Sequence, residues 1–133
     1  MPACEPPRFE PLVGWRVIAE PAALDAAPWP PGSQVVRISP DDVFLIGAPI
    51  PAVPADAHAI VTPEHGFAGA SLDAQQLAHV TLHHVEWHLP ADRPALAQGQ
   101  IAGVPAKLVL AVDGSAQLLV ACAARHELEE RLS

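Results

Sequence analysis

Positive charge is scarce in this chain of 133 residues. It has seven basic residues against fifteen acidic ones, its single lysine is Lys107, and it has no tyrosine. The basic residues are scattered along the sequence, so no cationic face is expected that could release counterions from nucleic acid or bind an anionic membrane. We therefore predict that neither nucleic acid nor a membrane is a partner.

Cysteines and long apolar runs are also few. Cys4 and Cys122 are too far apart for a paired-cysteine metal site and too few for a disulfide framework, which indicates unpaired thiols in a reducing compartment. Prolines or charges interrupt every apolar stretch before the roughly 18 residues that a membrane helix needs. Residues 1–7 carry neither the basic nor the apolar region of a secretion signal, so we expect a cytoplasmic protein.

The distribution of proline divides the chain into two regions. Half of the residues are apolar, which suits one globular core in a chain of this length. Thirteen of the sixteen prolines lie at or before Pro63, and eight of them fall within residues 1–33. Because proline removes a backbone donor and disfavours helix before it, the sequence predicts an extended N-terminal arm over residues 1–33 and a single domain over residues 34–133.

The second region alternates strand and helix patterns. β-Branched runs on either side of Ser39-Pro40-Asp41-Asp42 predict a hairpin, with both aspartates explained by turn chemistry. Helices are predicted over residues 73–86, where Asp73 and Gln76 form a capping box, and over residues 123–132, with a Glu127–Arg131 ion pair. Strands are predicted over residues 35–38, 43–46, 58–61, 67–72, 100–112 and 116–122. This order predicts an α+β fold, an antiparallel sheet with two helices on one face.

Three details of this prediction concern packing. The first helix is expected to bury Ala74, Leu77, Ala78, Thr81, Leu82 and Val85. The strand over residues 100–112 is expected to bend at Gly103 and Pro105 and to pair regularly only after Lys107. Cys122 is interpreted as a small packed residue rather than a nucleophile.

Four histidines in ten residues form the densest chemical cluster. His79 and His83 are four residues apart, as are His84 and His88, so each pair can share one helix face. Zinc normally takes at least three protein ligands and HExxH is absent, so His79, His83, His84 and His88 are weak metal candidates. A polar solvated face, or one buried against a partner, is the favoured interpretation.

Catalytic motifs are missing from the sequence. There is no GxSxG elbow, P-loop or HExxH, and no Ser/His/Asp set can be placed together. We therefore assign no catalytic and no cofactor-binding residue, and we expect this chain to bind no cofactor itself.

The second region nevertheless resembles a known family. The hairpin over residues 36–46, the strand and helix over residues 58–85, and the segment around GQIAGVPAKL at residues 99–108 are similar to the gamma subunit of heterotetrameric sarcosine oxidase. The resemblance spans residues 34–132 and implies the ferredoxin-like half of a fold shared with the folate-binding glycine cleavage T protein. It also implies an accessory subunit beside larger flavoprotein chains that carry the flavin, NAD and folate. The KGCYxGQE signature of the iron-sulfur-assembly branch is absent.

Two other function classes stay open at this point. One is a free-standing folate or small-ligand binding module of the same fold, which requires a concave apolar pocket with a few polar groups. The other is a histidine-rich metal-binding protein.

Overall fold

The computed structural model describes residues 5–133. Cys4 therefore lies outside the described residues. The elements are β1 Glu10–Pro11, β2 Gly14–Ile18, α1 Pro21–Ala26, β3 Gln34–Ser39, β4 Asp42–Ile46, β5 Ile60–Glu64, β6 Phe67–Leu72, α2 Ala74–His84, β7 Ala95–Ile101, β8 Val104–Leu110, β9 Ala116–Ala121, a 3₁₀ turn Cys122–Ala124 and α3 Arg125–Leu132. The fold is α+β and antiparallel, as predicted, but the strands form two sheets rather than one.

The chain forms two compact units, with divisions after Pro11 and after His65. The larger unit, residues 5–11 with 66–133, contains an antiparallel sheet in the order β1-β6-β9-β8-β7. Alternate residues of these strands, such as Leu108 and Leu118, share one apolar cluster with Leu77 and Val80 of α2 and Leu128 of α3. Both helices therefore pack on one face of this sheet.

The smaller unit, residues 12–65, contains an antiparallel sheet in the order β3-β4-β2-β5. Its core is built from Val17, Ala19, Leu24, Val43 and Leu45. The predicted hairpin is confirmed, because β3 pairs with β4 across the turn.

The prediction of an extended N-terminal arm is wrong. β2 is a central strand that pairs with both β4 and β5, and β1 pairs with β6. Phe9 is only 5% exposed and belongs to the core of the larger unit. The high proline content suggested an extended arm. Pro21, however, lies in the first turn of α1, where a backbone N–H is not needed for a helical hydrogen bond.

The strands predicted over residues 58–61 and 67–72 form as β5 and β6, but they do not pair with each other. β5 pairs with β2, whereas β6 pairs with β1 and β9. Strand identity follows from local composition, whereas the choice of partner depends on burial across the whole sheet.

The strand predicted over residues 100–112 is in fact two strands. The chain reverses at Ala102 and Gly103, which have φ of 50° and 78°, the positive values that a tight two-residue hairpin requires. Regular pairing with β7 begins at Val104 rather than after Lys107. Pro105 is tolerated because it sits at a non-hydrogen-bonded position of β7–β8 and lies before the β9 pairing begins at Ala106.

Helix α2 begins as predicted, and of its predicted buried stripe Leu77 is buried and Val85 packs against the core, whereas the row through Leu82 is exposed. Asp73 accepts the backbone N–H of Gln76 at 2.7 Å, and the Gln76 side chain accepts the N–H of Asp73 at 2.9 Å, so the capping box is confirmed. Leu77 and Val80 are buried, whereas Leu82 is 77% exposed. The apolar row Ala74, Ala78 and Leu82 therefore faces outward, because the position of the sheet selects the row through Leu77 and Val80.

Two remaining sequence predictions have clear outcomes. Glu127 and Arg131 of α3 form the expected ion pair. Cys122 is exposed rather than packed, and it begins the 3₁₀ turn directly after β9. Among residues 5–133, no helix combines the length and the hydrophobicity needed to cross a bilayer.

Candidate functional site

The last turns of α2 bring three of the four predicted histidines together. The ring centroids of His79 and His83 are 4.5 Å apart, and His84 lies 6.4 Å from His79 and 6.3 Å from His83. The four-residue spacing accounts for the close pair of His79 and His83 on one helix face. His88 follows the end of the helix.

His84 differs from its two neighbours in its surroundings. Its side chain is half-buried, whereas His79 and His83 are exposed. Burial lowers the pKa of His84 below its usual value, and positive charge on His79 and His83 lowers it further. His84 therefore favours the neutral imidazole, which can both donate and accept a hydrogen bond.

Within the described part of the chain, no group of three His, Cys, Asp or Glu side chains has the arrangement of a metal site. Two exposed imidazoles on one helix hold zinc weakly without a third ligand. The absence of a functional metal site stays a prediction, which metal titration can test.

A concavity of about 410 Å³ beside His84 is built on the β7–β8 turn. The backbone N–H of Ala102 donates to the carbonyl of His84 at 2.9 Å, and Nη1 of Arg131 donates to the carbonyl of Ala102 at 2.7 Å. The indole N–H of Trp87 donates to the carbonyl of Gln100 at 2.9 Å. The GQIAGVPAKL segment is thus fixed by both helices of the larger unit.

A larger concavity of about 640 Å³ lies on the outward side of α2. We call it the α2 groove; its lining is Ala74, Leu77, Ala78, Thr81, Leu82, Leu89, Ala91, Arg93, Ala111, Val112 and Gly114. Leu82 and Val112 are 77% and 76% exposed. The sequence prediction missed this groove because it placed the row through Leu82 in the core.

Arg93 is the one ionisable side chain in the lining of the α2 groove. Its Nε donates to the carbonyl of Pro90 at 3.2 Å, which holds the guanidinium against the 90–93 loop. Among residues 5–133, no carboxylate lies within ion-pair distance of Arg93. The groove therefore combines apolar walls with one fixed cation.

The smaller unit carries a charge network that links three strands of its sheet. Arg16 on β2 binds both carboxylate oxygens of Asp42 on β4, at 2.6 and 2.7 Å, and Glu64 on β5 at 2.7 Å. Asp41, the other turn aspartate, accepts the Ser39 hydroxyl at 2.8 Å. Asp42 thus also links strands, a role that turn chemistry alone did not reveal.

Comparison with known proteins adds no relative to this description. No protein-family model matches the chain, and no curated protein matches it. The resemblance to the gamma subunit of sarcosine oxidase is therefore carried by the sequence segments quoted above.

Proposed function

We propose that this chain is a non-catalytic accessory subunit, of the gamma type, in a heteromeric flavin-dependent sarcosine or amine oxidase. The partners are the larger flavoprotein subunits, which hold the flavin, NAD and folate, and the complex is cytoplasmic. The sequence resemblance over residues 34–132 supports the choice of family. No catalytic residue is assigned to this chain.

The observation that carries the proposal is the amount of large apolar surface exposed in both units. In the smaller unit, Val13, Ile50 and Ile60 are 61%, 63% and 58% exposed. In the larger unit, Leu82 and Val112 are more exposed still. Burying one such side chain fully contributes roughly 1.5–3 kcal/mol, so burial of these side chains against a partner would stabilise an assembly.

The test is purification of the full-length tagged protein from its native cell, with identification of co-purifying chains and a flavin absorbance spectrum. We expect flavoprotein subunits in fixed ratio to this chain. Ile60→Glu places a charge on the apolar surface of the smaller unit and should weaken their recovery. Gln75→Glu adds the same charge at an exposed polar position of α2 and serves as the matched control.

A preparation without flavoprotein subunits would refute the assembly. Tetrahydrofolate binding by the isolated chain would then favour the free-standing folate module. Tight zinc binding that is lost in a His79→Ala, His83→Ala double variant would favour the metal-binding class instead.

A further inference from the structure

We propose that the α2 groove binds a free amphiphilic carboxylate, such as a medium-chain fatty acid. The hydrocarbon chain lies along the apolar walls, and Arg93 binds the carboxylate. This inference does not require the proposed oxidase assembly, although Leu82 and Val112 belong both to the groove and to the exposed apolar surface that supports that assembly.

The walls of the groove suit a hydrocarbon chain. One wall is the outward row of α2, in which Ala74 and Ala78 are small and Leu82 projects. The opposite wall is the tip of the β8–β9 hairpin, where Val112 is exposed. The volume of about 640 Å³ lies within the roughly 300–1,000 Å³ of pockets that hold small organic molecules.

Thr81 adds no free hydrogen-bond donor to the lining of the groove. Its hydroxyl donates to the Leu77 carbonyl at 2.7 Å, within the helix. The lining therefore offers contact to methylene groups over most of its area and one charged group, Arg93. A ligand that matches it is apolar along its length and polar at one terminus.

Arg93 determines the charge and shape of that terminus. Because its Nε is already bonded to the Pro90 carbonyl, the two terminal nitrogens of the guanidinium stay available as a planar pair of donors. This arrangement matches the two oxygens of a carboxylate. Arg93 is the one cation in the lining, so a single negative charge is balanced, whereas a phosphate dianion would keep excess charge beside apolar walls.

The test is isothermal titration of the full-length protein with hexanoate, octanoate and decanoate, below the concentrations at which they form micelles. We expect the affinity to rise about two- to fourfold with each methylene that enters the groove, from the transfer free energy of a methylene. Decanol and methyl decanoate keep the chain but lack the charge. They should bind about tenfold or more weakly than decanoate, because a charge-assisted hydrogen bond is lost.

Variants separate the two parts of the site. Arg93→Gln should weaken decanoate binding about tenfold or more while leaving decanol binding unchanged. Arg93→Lys, which keeps the charge but loses the planar fork, should fall between them. Leu82→Gln should weaken both ligands. Arg8→Gln, at an exposed position of the same unit, and Ile60→Gln, on the other unit, are the matched controls and should change neither.

Several results would overturn the proposal. These are no alkanoate binding by the wild-type protein, equal binding of decanoate and decanol, affinity independent of chain length, or full decanoate affinity in Arg93→Gln. Thermal melting of each variant shows whether it is folded. If Arg93→Gln does not fold, the comparison of decanoate with decanol on the wild-type protein decides the matter.

Discussion

Arg16 holds three strands of the smaller sheet together, so its replacement is a direct test of how that unit is stabilised. Asp42 and Glu64 lie diagonally across from it on β4 and β5, two residues from its direct partners Phe44 and Thr62. The hydrogen bond to Asp42 raises the pKa of Arg16, and burial partly opposes this rise. Arg16→Gln removes the cation and leaves both carboxylates without it.

The expected loss of stability lies between two limits. Breaking a fully buried ion pair costs about 3–5 kcal/mol, and breaking an exposed pair costs about 0–1 kcal/mol. The side chains of Arg16, Asp42 and Glu64 are 28%, 15% and 20% exposed. We therefore expect Arg16→Gln to lower the free energy of unfolding by about 2 kcal/mol.

Urea unfolding followed by tryptophan fluorescence measures this loss, because Trp15 and Trp29 both lie in the smaller unit. A cycle with Asp42→Asn isolates the pair energy, and we expect a coupling of about 1 kcal/mol. Arg8→Gln, outside this unit, is the control for loss of a positive charge. A change below about 0.5 kcal/mol for Arg16→Gln would refute the reasoning and place the network among exposed ion pairs.

Four further perturbations test the larger unit. Asp73→Ala removes the cap of α2 and should cost about 1 kcal/mol in urea unfolding. Phe9→Ala should lower the free energy of unfolding by about 3–5 kcal/mol because this side chain is 5% exposed. A negligible loss would instead support the prediction of an extended N-terminal arm. In Gly99→Ala the new Cβ would lie 2.5 Å from the Trp87 ring, so a loss of about 1–3 kcal/mol is expected, and Trp87→Leu should relieve it. In the folded protein the pKa of His84 is lowered from 6.5. As the pH falls, the unfolded chain therefore binds a proton at this residue before the folded chain does. The free energy of unfolding should therefore fall as the pH drops from about 6.5 through the pKa of the folded state. In thermal melts, His84→Gln should show a smaller fall than the wild-type protein.

The histidine cluster depends on local sequence, whereas the α2 groove depends on the tertiary arrangement. The contact between His79 and His83 could be predicted, because helix geometry alone brings residues four apart together. The α2 groove could not. Its walls come from α2, the 89–93 segment and the β8–β9 hairpin tip, and no local pattern indicates that these three will meet.

Short-range features of the fold followed from the sequence because their physical causes lie within a few residues. The Asp73 capping box and the Glu127–Arg131 pair each depend on one turn of backbone. The β3–β4 hairpin also formed as predicted, since its two strands adjoin one turn.

Only the tertiary structure decided which strands pair and which helix face is buried. The tight reversal at Ala102-Gly103 lacks the Asn-Gly or Asp-Gly pattern of such turns, and it becomes evident once β7 and β8 align along their length. α2 carries two apolar rows, and contact with the sheet buries the one through Leu77 and Val80. β2 is extended by local preference, but its central place depends on strands that follow it by more than twenty residues. Such choices minimise exposed apolar area over a whole unit, a quantity that no short window of sequence contains.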